Sequence, residues 1–264
     1  MAAPNPGSPG SLCSICEKKG YDSRMLIRLD DRDDLDELAE CYASSGSVSI
    51  GHFLRDDDAR ALRDAVEQSW GWIEVFRAGE KVYQMPAKAF EELSAQQKAK
   101  LDQLVHSSAQ RELQYRYRSV RAPDSAAERE ESAEAVCRFA EFMCSQPVKE
   151  FLRKVTGQEE IRFADAQATA FGPGHFLTTH DDAVEGKDRL AAFVFGLTEA
   201  WQADWGGLLL FDQDSAVEGF VPQFNALRIF SVPRSHHVSL VAPWADRQRL
   251  SITGWLRSCD QPMS

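Results

Sequence analysis

Residues 161–171, IRFADAQATAF, open a run of short apolar segments. The run continues through 174–182 (GHFLTTHDD), 189–197 (RLAAFVFGL), 206–211 (GGLLLF), 224–230 (FNALRIF), 236–241 (HHVSLV) and 249–256 (RLSITGWL). Gly172, Pro173, Gly174, Gly186, Gly206, Gly207, Pro222, Pro233 and Pro243 punctuate these segments. Glycine breaks regular structure through conformational freedom, and proline through its locked φ and missing N–H. Short strands separated in this way are the pattern of a β-sandwich or jelly roll.

Upstream, the period of the apolar residues changes from two to three and four. Residues 34–46 (DLDELAECYASSG), 56–70 (DDDARALRDAVEQSW) and 86–105 (PAKAFEELSAQQKAKLDQLV) read as amphipathic helices, and 130–146 and 147–157 continue the theme. The acidic runs at Asp30–Asp34 and Asp56–Asp58 suit helix starts, where carboxylates oppose the positive end of the helix dipole. Two stretches, 71–85 and 112–122, look strand-like. In the second, Tyr115 and Tyr117 alternate with Arg116 and Arg118, which puts aromatics on one face and cations on the other. An edge strand with its charges in water is the expectation there, with a substrate-facing role as the alternative. The expected fold class is α+β. A double-stranded β-helix, or jelly roll, occupies 161–258, and a mainly helical region, 25–160, packs against it as part of one domain. Residues 1–24 are rich in Pro, Gly and Ser and are expected to form a disordered leader. The switch to patterned sequence at MLIRLDD makes Met25 a candidate start.

Composition narrows the classes of function. A chain of 264 residues with 43% hydrophobic content can bury a sizeable core. No apolar stretch is long enough for a transmembrane helix, and the N-terminus has no basic start followed by an apolar block. The expectation is a cytoplasmic protein without a membrane partner. A formal net charge of −11 disfavours nucleic acid, whose binding relies on clustered Lys and Arg releasing counterions. The six cysteines, 13, 16, 41, 137, 144 and 259, do not make a secreted disulfide framework. Cys13 and Cys16 form a CxxC without a second pair, which is too little for a structural zinc site.

Chemistry concentrates near the C-terminal end. Side chains at i and i+2 of a strand share a face, so His180 and Asp182 can meet one ion while Asp181 faces away. By itself HxD is a weak pattern. A later segment supplies His236 and His237, which as neighbours on a strand must point oppositely, so one of them can join. Two imidazoles and one carboxylate on one side of a ferrous ion leave the other side open to reactants. In RLSITGWL, Arg249, Ser251 and Thr253 fall on one face and Leu250 and Ile252 on the other. A guanidinium inside an apolar barrel needs an acidic partner. A bound dicarboxylate would supply one through a bidentate pair. A salt bridge to Asp246 or Asp260 is the competing explanation.

The segments 170–182, 189–211, 221–241 and 249–256, in this order, resemble the 2-oxoglutarate- and Fe(II)-dependent oxygenases, in particular their prolyl-hydroxylase-like branch. A Gly-containing turn before HxD, an Arg opening the next strand, the block WGGLLLF, then HxV and RxSxT carry the resemblance. It implies His180, Asp182 and His236 as iron ligands. His236 is preferred to His237 because it lies two residues before Val238. It further implies Arg249 as the anchor for the distal carboxylate of 2-oxoglutarate, with Thr253 and Ser251 as hydroxyl donors, and Arg189 and Trp255 as residues bordering the target. The implied reaction consumes O2 and 2-oxoglutarate, releases succinate and CO2, and hydroxylates a C–H bond. Its target would be a prolyl residue of a protein or peptide, or a proline-like small molecule, and the branch allows for ascorbate. Retention of the carboxylate ligand favours hydroxylation over halogenation.

The chain also departs from the branch. Where relatives often carry a tyrosine before the Gly-rich turn, whose hydroxyl helps hold the cosubstrate, this chain has Phe171. Phe193, Phe195 and Gly196 stand in a strand where prolyl hydroxylases can carry tyrosines. Two other classes compete. A cupin-like metal-dependent hydrolase or isomerase has no need of a dicarboxylate anchor such as Arg249, and a non-catalytic sensor has no need of three intact ligands. Of the remaining polar residues, His175 reads as a turn histidine in water, and His52 and His106 as structural or solvated. Glu159, Glu160 and Asp165 read as solvated charges.

Overall fold

In the computed structural model, which describes residues 25–259, thirteen strands form one antiparallel sheet that curls on itself. Its larger wall runs in the order β1 (Ser47–Gly51), β11 (Ala226–Ser231), β8 (Arg189–Gly196), β13 (Arg249–Arg257), β6 (Gln167–Phe171), β4 (Tyr115–Arg121). The smaller wall continues through β7 (Phe176–His180), β12 (His236–Val238), β9 (Leu209–Gln213) and β10 (Ala216–Phe220). The walls join through β4. Its residues Arg118 to Arg121 pair with β6, while Tyr115 and Arg116 pair with β7. The hairpin of β2 (Ile73–Ala78) and β3 (Lys81–Pro86) covers the other edge of β4, and the short β5 (Phe163–Ala164) pairs with β13. This is the jelly-roll core expected, with helices against it.

The alternation of β13 separates the two environments. Leu250 and Ile252 point outward into a core shared with Ala168 and Ala170 of β6, Leu227 and Ile229 of β11, and the helices. Those helices are α1 (Leu35–Ser45), α2 (Asp56–Glu67), α6 (Ala135–Cys144) and α7 (Gln146–Thr156), which contribute Leu38, Leu62, Phe139 and Leu152 among others. Arg249, Ser251 and Thr253 take the inner face. The helical pattern over 86–105 resolves into α3 (Ala87–Glu91) and α4 (Ala95–Ala109), because Ser94 forms a capping box with Gln97 and restarts the helix. A short α5 (Ala126–Glu131) and the strands β1 and β10 were not evident from pattern. β10 is exposed along nearly its whole length and so carries no apolar alternation.

Three polar expectations are corrected. β4 is an interior strand, and its arginines meet Glu74, not water. Glu74 is 0% exposed and accepts from Arg116 Nε at 2.8 Å and Arg118 Nε at 3.1 Å. His175 is also buried and brings its Nε2 to 3.1 Å from the same carboxylate. The outer ends of the arginines reach Asp102 and Glu91. A lone Glu in an apolar strand is tolerated because cations surround it. Asp165 is buried as well, accepting from the Trp255 backbone N–H at 2.8 Å. Asp58, in the first turn of α2, is buried against Arg28, whose Nη2 is 2.9 Å from its Oδ1. The proposed leader, Met25 as a start preceded by it, and the Cys13/Cys16 pair bear on residues outside those described.

Burial works to raise the Glu74 pKa, but the hydrogen bonds and charges of His175 and Arg116 outweigh it and hold it at about 2. A folded-state pKa below the ordinary 4.5 contributes stability above that value, which is lost as pH falls from 4.5 toward 2. Glu74→Ala strands the buried cations and is expected to lower unfolding free energy by about 3–5 kcal/mol at pH 7. Urea denaturation of both proteins at pH 7 and at pH 3 checks this; a difference that does not shrink at pH 3 would refute the account.

Candidate metal centre and acid pocket

β7 ends at His180, and Asp182 lies beyond it with a φ of 63°, in the left-handed region. The expected alternation along a strand is therefore not what aims Asp182. A turn does, and Arg189 secures it, donating from Nη1 to the Asp182 carbonyl at 2.8 Å. Asp181 is exposed and accepts from the Ala183 N–H at 3.0 Å. His236, on β12, pairs directly with His180 across β7. The two rings stand with centroids 4.1 Å apart.

The three side chains converge. His180 Nε2 is 3.4 Å from Asp182 Oδ1, and His236 Nε2 is 3.4 Å from Asp182 Oδ2. All three potential ligand atoms lie within 4.8 Å of one another. Ligands at about 2.1 Å from a common ion in cis positions stand roughly 3 Å apart, so the cluster fits an ion with little movement. The tautomers also fit. His180 Nδ1 is 3.0 Å from the Thr178 carbonyl and His236 Nδ1 is 2.7 Å from the Arg234 carbonyl. Those carbonyls place the ring protons on Nδ1 and leave both Nε2 lone pairs for a metal. Burial, then the neighbouring His180, push the His236 pKa down and favour its neutral, ligating form. Burial works to raise the Asp182 pKa, but the two imidazoles beside it bring it down overall. His237 turns the other way and sets its Nδ1 3.0 Å from Asp212 Oδ1.

The cluster opens on a cavity of about 460 Å³. Tyr115 and Tyr117 of β4, Phe171, Leu177, Leu209 and Val238 form its apolar walls, and Arg249 and Thr253 face into it. Arg249 is 4% exposed; its Nη1 donates to the Gly207 carbonyl at 2.8 Å. Among the described residues no carboxylate is within ion-pair distance of it. Asp246 pairs with Arg247 instead, and Asp260 lies outside the described residues. Burial lowers the Arg249 pKa to about 10, which leaves it a cation at neutral pH. Ser251 is less available than Thr253, since its hydroxyl is 3.0 Å from that of Thr169 and it lines a separate void of about 40 Å³ beside Arg249. Arg189 and Trp255 both border the cavity, stacked with the guanidinium carbon 3.5 Å from the ring centroid. Two contributors escaped sequence reasoning. Phe230 packs its ring 4.8 Å from that of His236, and Gln167 lines the cavity. Their signal was their place on inner-face positions of β11 and β6.

A curled antiparallel barrel with two histidines and a carboxylate beside a buried arginine that meets no carboxylate among the described residues has the donor set of a non-heme metal oxygenase centre. Residues 166–257 match the model described as the 2OG-Fe(II) oxygenase superfamily. The chain is 31% identical over 119 residues to Prolyl 3-hydroxylase OGFOD1 of Xenopus laevis, a match covering 42% of this chain and 23% of that protein. The matched region thus spans about a quarter of that relative's length. In fold it is similar to a Pseudomonas putida prolyl-4-hydroxylase, with a TM-score of 0.55, 21% identity, and coverage of 84% of this chain and 98% of the other. It is also similar to a Trichoplax adhaerens prolyl hydroxylase in complex with a hypoxia inducible factor oxygen degradation domain peptide fragment, at TM-score 0.53, 13% identity, and coverage of 85% and 89%. Residues 166–257 are thus similar to the 2OG-Fe(II) oxygenase superfamily, and the relatives named here carry prolyl-hydroxylase names. The superfamily is one of 2-oxoglutarate-dependent dioxygenases, and its cofactor and cosubstrates are Fe(II), 2-oxoglutarate and O2.

Removing one ligand from a three-ligand site costs far more than removing a solvated neighbour. Asp182→Ala is expected to weaken Fe(II) binding at least about a hundredfold, and Asp181→Ala to leave it within about twofold. Anaerobic Fe(II) titration of the two variants distinguishes them, and equal losses would show that the turn aims the wrong carboxylate.

Proposed function

We propose that this chain is a dioxygenase that hydroxylates a C–H bond of a prolyl residue in a protein or peptide, with a proline-like small molecule as the narrower alternative. The observation that carries this is the opening of His180, Asp182, His236 and the unpaired Arg249 onto one cavity. A hydrolytic or isomerising metal site has no use for that buried cation, and a sensor has no use for a complete ligand set. The prolyl assignment is supported by the names of the three relatives described above, all of them prolyl hydroxylases.

When bound, Fe(II) and 2-oxoglutarate supply with O2 the oxidising power, and succinate and CO2 are the accompanying products. The residues supply place and environment. His180, Asp182 and His236 would hold the metal, with both imidazoles kept in one tautomer by backbone carbonyls. Arg249 would pair with the distal carboxylate, with Thr253 as a hydroxyl donor and Ser251 behind it. Phe171, Leu209 and Val238 exclude water from the reacting end. Arg189 and Trp255 border the place of the target side chain, and Arg189 also braces the Asp182 turn.

Incubation with Fe(II), 2-oxoglutarate and a panel of proline-containing peptides, free amino acids and cell extract is expected to release succinate and add one oxygen to the target by mass. Arg249→Ala is expected to raise the 2-oxoglutarate requirement about a hundredfold or more while changing the Fe(II) requirement little. Wild-type, iron-loaded protein that binds no 2-oxoglutarate would end the proposal.

A further inference from the structure

β11 carries a second cation to the inside of the barrel. Leu227 and Ile229 belong to the helix-packed core, so strand alternation turns Ala226, Arg228 and Phe230 to the inner face. Arg228 is half-buried and lays its guanidinium carbon 3.4 Å from the centroid of the Phe220 ring on β10. The ring face attracts the charge but is a poor acceptor for the N–H groups, and among the described residues Arg228 makes no hydrogen bond or ion pair. Glu218 of β10 acts on it by charge, yet the ion pair Glu218 makes is with Arg234, at 3.8 Å. Burial lowers the Arg228 pKa to about 10, which leaves it a cation at neutral pH. A cation held in this way costs free energy that a bound anion would offset.

The space beside Arg228 has a matching composition. Arg228 lines the void of about 40 Å³ that Arg249 also lines, with Ser49 and Ser251 as hydroxyls and Leu209 and Phe220 as apolar walls. Ser49 of β1 pairs directly with Arg228. Among the described residues no carboxylate lines this void, although the chain as a whole carries a net charge of −11. Arg249, Val194 and Leu209 are shared with the metal cavity, and Pro222, Gln223 and Ala226 with a groove on the outside, so the void lies between the two. Its walls include residues of both β1 and β10, the two ends of the strand order, which do not pair with each other. Liquid water takes roughly 30 Å³ per molecule, so the void holds a single guest of about that size. A water there would leave both arginines without a countercharge, whereas an ion of halide size meets the space and the charge together.

We infer that this void is a binding site for a small monovalent anion of halide size, held chiefly by Arg228, with Ser49 beside it and Arg249 on its inner side. An anion there weakens the field that Arg249 presents to the metal cavity. It therefore opposes a dicarboxylate at Arg249, and by linkage each ligand weakens the other by the same factor. The coupling rests on the function proposed above; the anion site itself does not.

The test compares chloride with gluconate, an anion too large for the void, at constant ionic strength. Broadening of the chlorine NMR line is expected to show chloride held by the wild-type protein. Arg228→Met, which keeps the packing on Phe220 and removes the charge, is expected to weaken that binding about tenfold, and Arg228→Lys to recover most of the loss. Ser49→Leu, a change at an exposed position that crowds the same void, is expected to act in the same direction as Arg228→Met. Anaerobic calorimetric titration of iron-loaded wild-type protein is expected to give a 2-oxoglutarate affinity about threefold lower in chloride than in gluconate, a difference that Arg228→Met abolishes. Chloride binding unchanged in both Arg228→Met and Ser49→Leu would overturn the site, and equal 2-oxoglutarate affinity in the two salts would overturn the coupling. Wild-type protein that holds chloride and binds no 2-oxoglutarate would uphold the site and end the function proposed above.

Discussion

A buried guanidinium with one backbone carbonyl for a partner is the constraint around which the inner wall is built. Removing Arg249 from water is costly, and the Gly207 carbonyl at 2.8 Å offsets only part of that. The position survives because strand alternation gives it no other. Leu250 and Ile252 are committed to the helix-packed core, so their odd-numbered neighbours on β13 must face inward. A sequence that needs apolar residues at 250 and 252 for stability thereby sets the cation at 249 on the cavity face. The stability of the outer face and the chemistry of the inner face are set by the same period-two pattern.

β4 does the corresponding work on the opposite side, with its faces exchanged. Its tyrosines line the cavity and its arginines are neutralised behind it by Glu74. The Glu74 cluster also takes in His175, whose backbone carbonyl accepts from the Val241 N–H at 2.9 Å. One buried carboxylate therefore ties together β2, β4 and the turn that leads into β7, the strand carrying His180. Through these contacts the polar network behind the wall fixes where the metal-side strand begins.

These two strands show what the sequence disclosed and what it withheld. The inner face of β13 was legible because a nine-residue strand alternates without interruption. So were the main helices and the jelly-roll class, which rest on periodicity. The grouping of His180, Asp182 and His236, which the structure brings together, was legible by resemblance, yet for Asp182 the local reason differed, since a positive φ and not strand alternation turns it inward. The edge-strand expectation for β4 failed because burial of charge depends on a distant partner. Arg116 and Arg118 look solvated until Glu74, 42 residues before Arg116, is brought beneath them. His175 and Asp165 failed for the same reason. A local window cannot see a countercharge that only the tertiary fold supplies.

The placement of Asp182 joins these strands of reasoning. A ligand inside a strand would share its alternation with a hydrogen-bonded ladder and could shift only if the ladder shifted. A ligand just past the strand end, in a left-handed turn, is free of the ladder and must be held by other means. Here the means is Arg189, which opens β8, bonds the Asp182 carbonyl and lies flat on Trp255 of β13. Trp255 pairs across the sheet with Ala192, on the same strand as Arg189, so the brace is itself anchored in the larger wall. The smaller wall supplies the two imidazoles and the larger wall steadies the carboxylate. The convergence of His180, Asp182 and His236 thus depends on the two walls staying in register, and β4 is the strand that pairs with both.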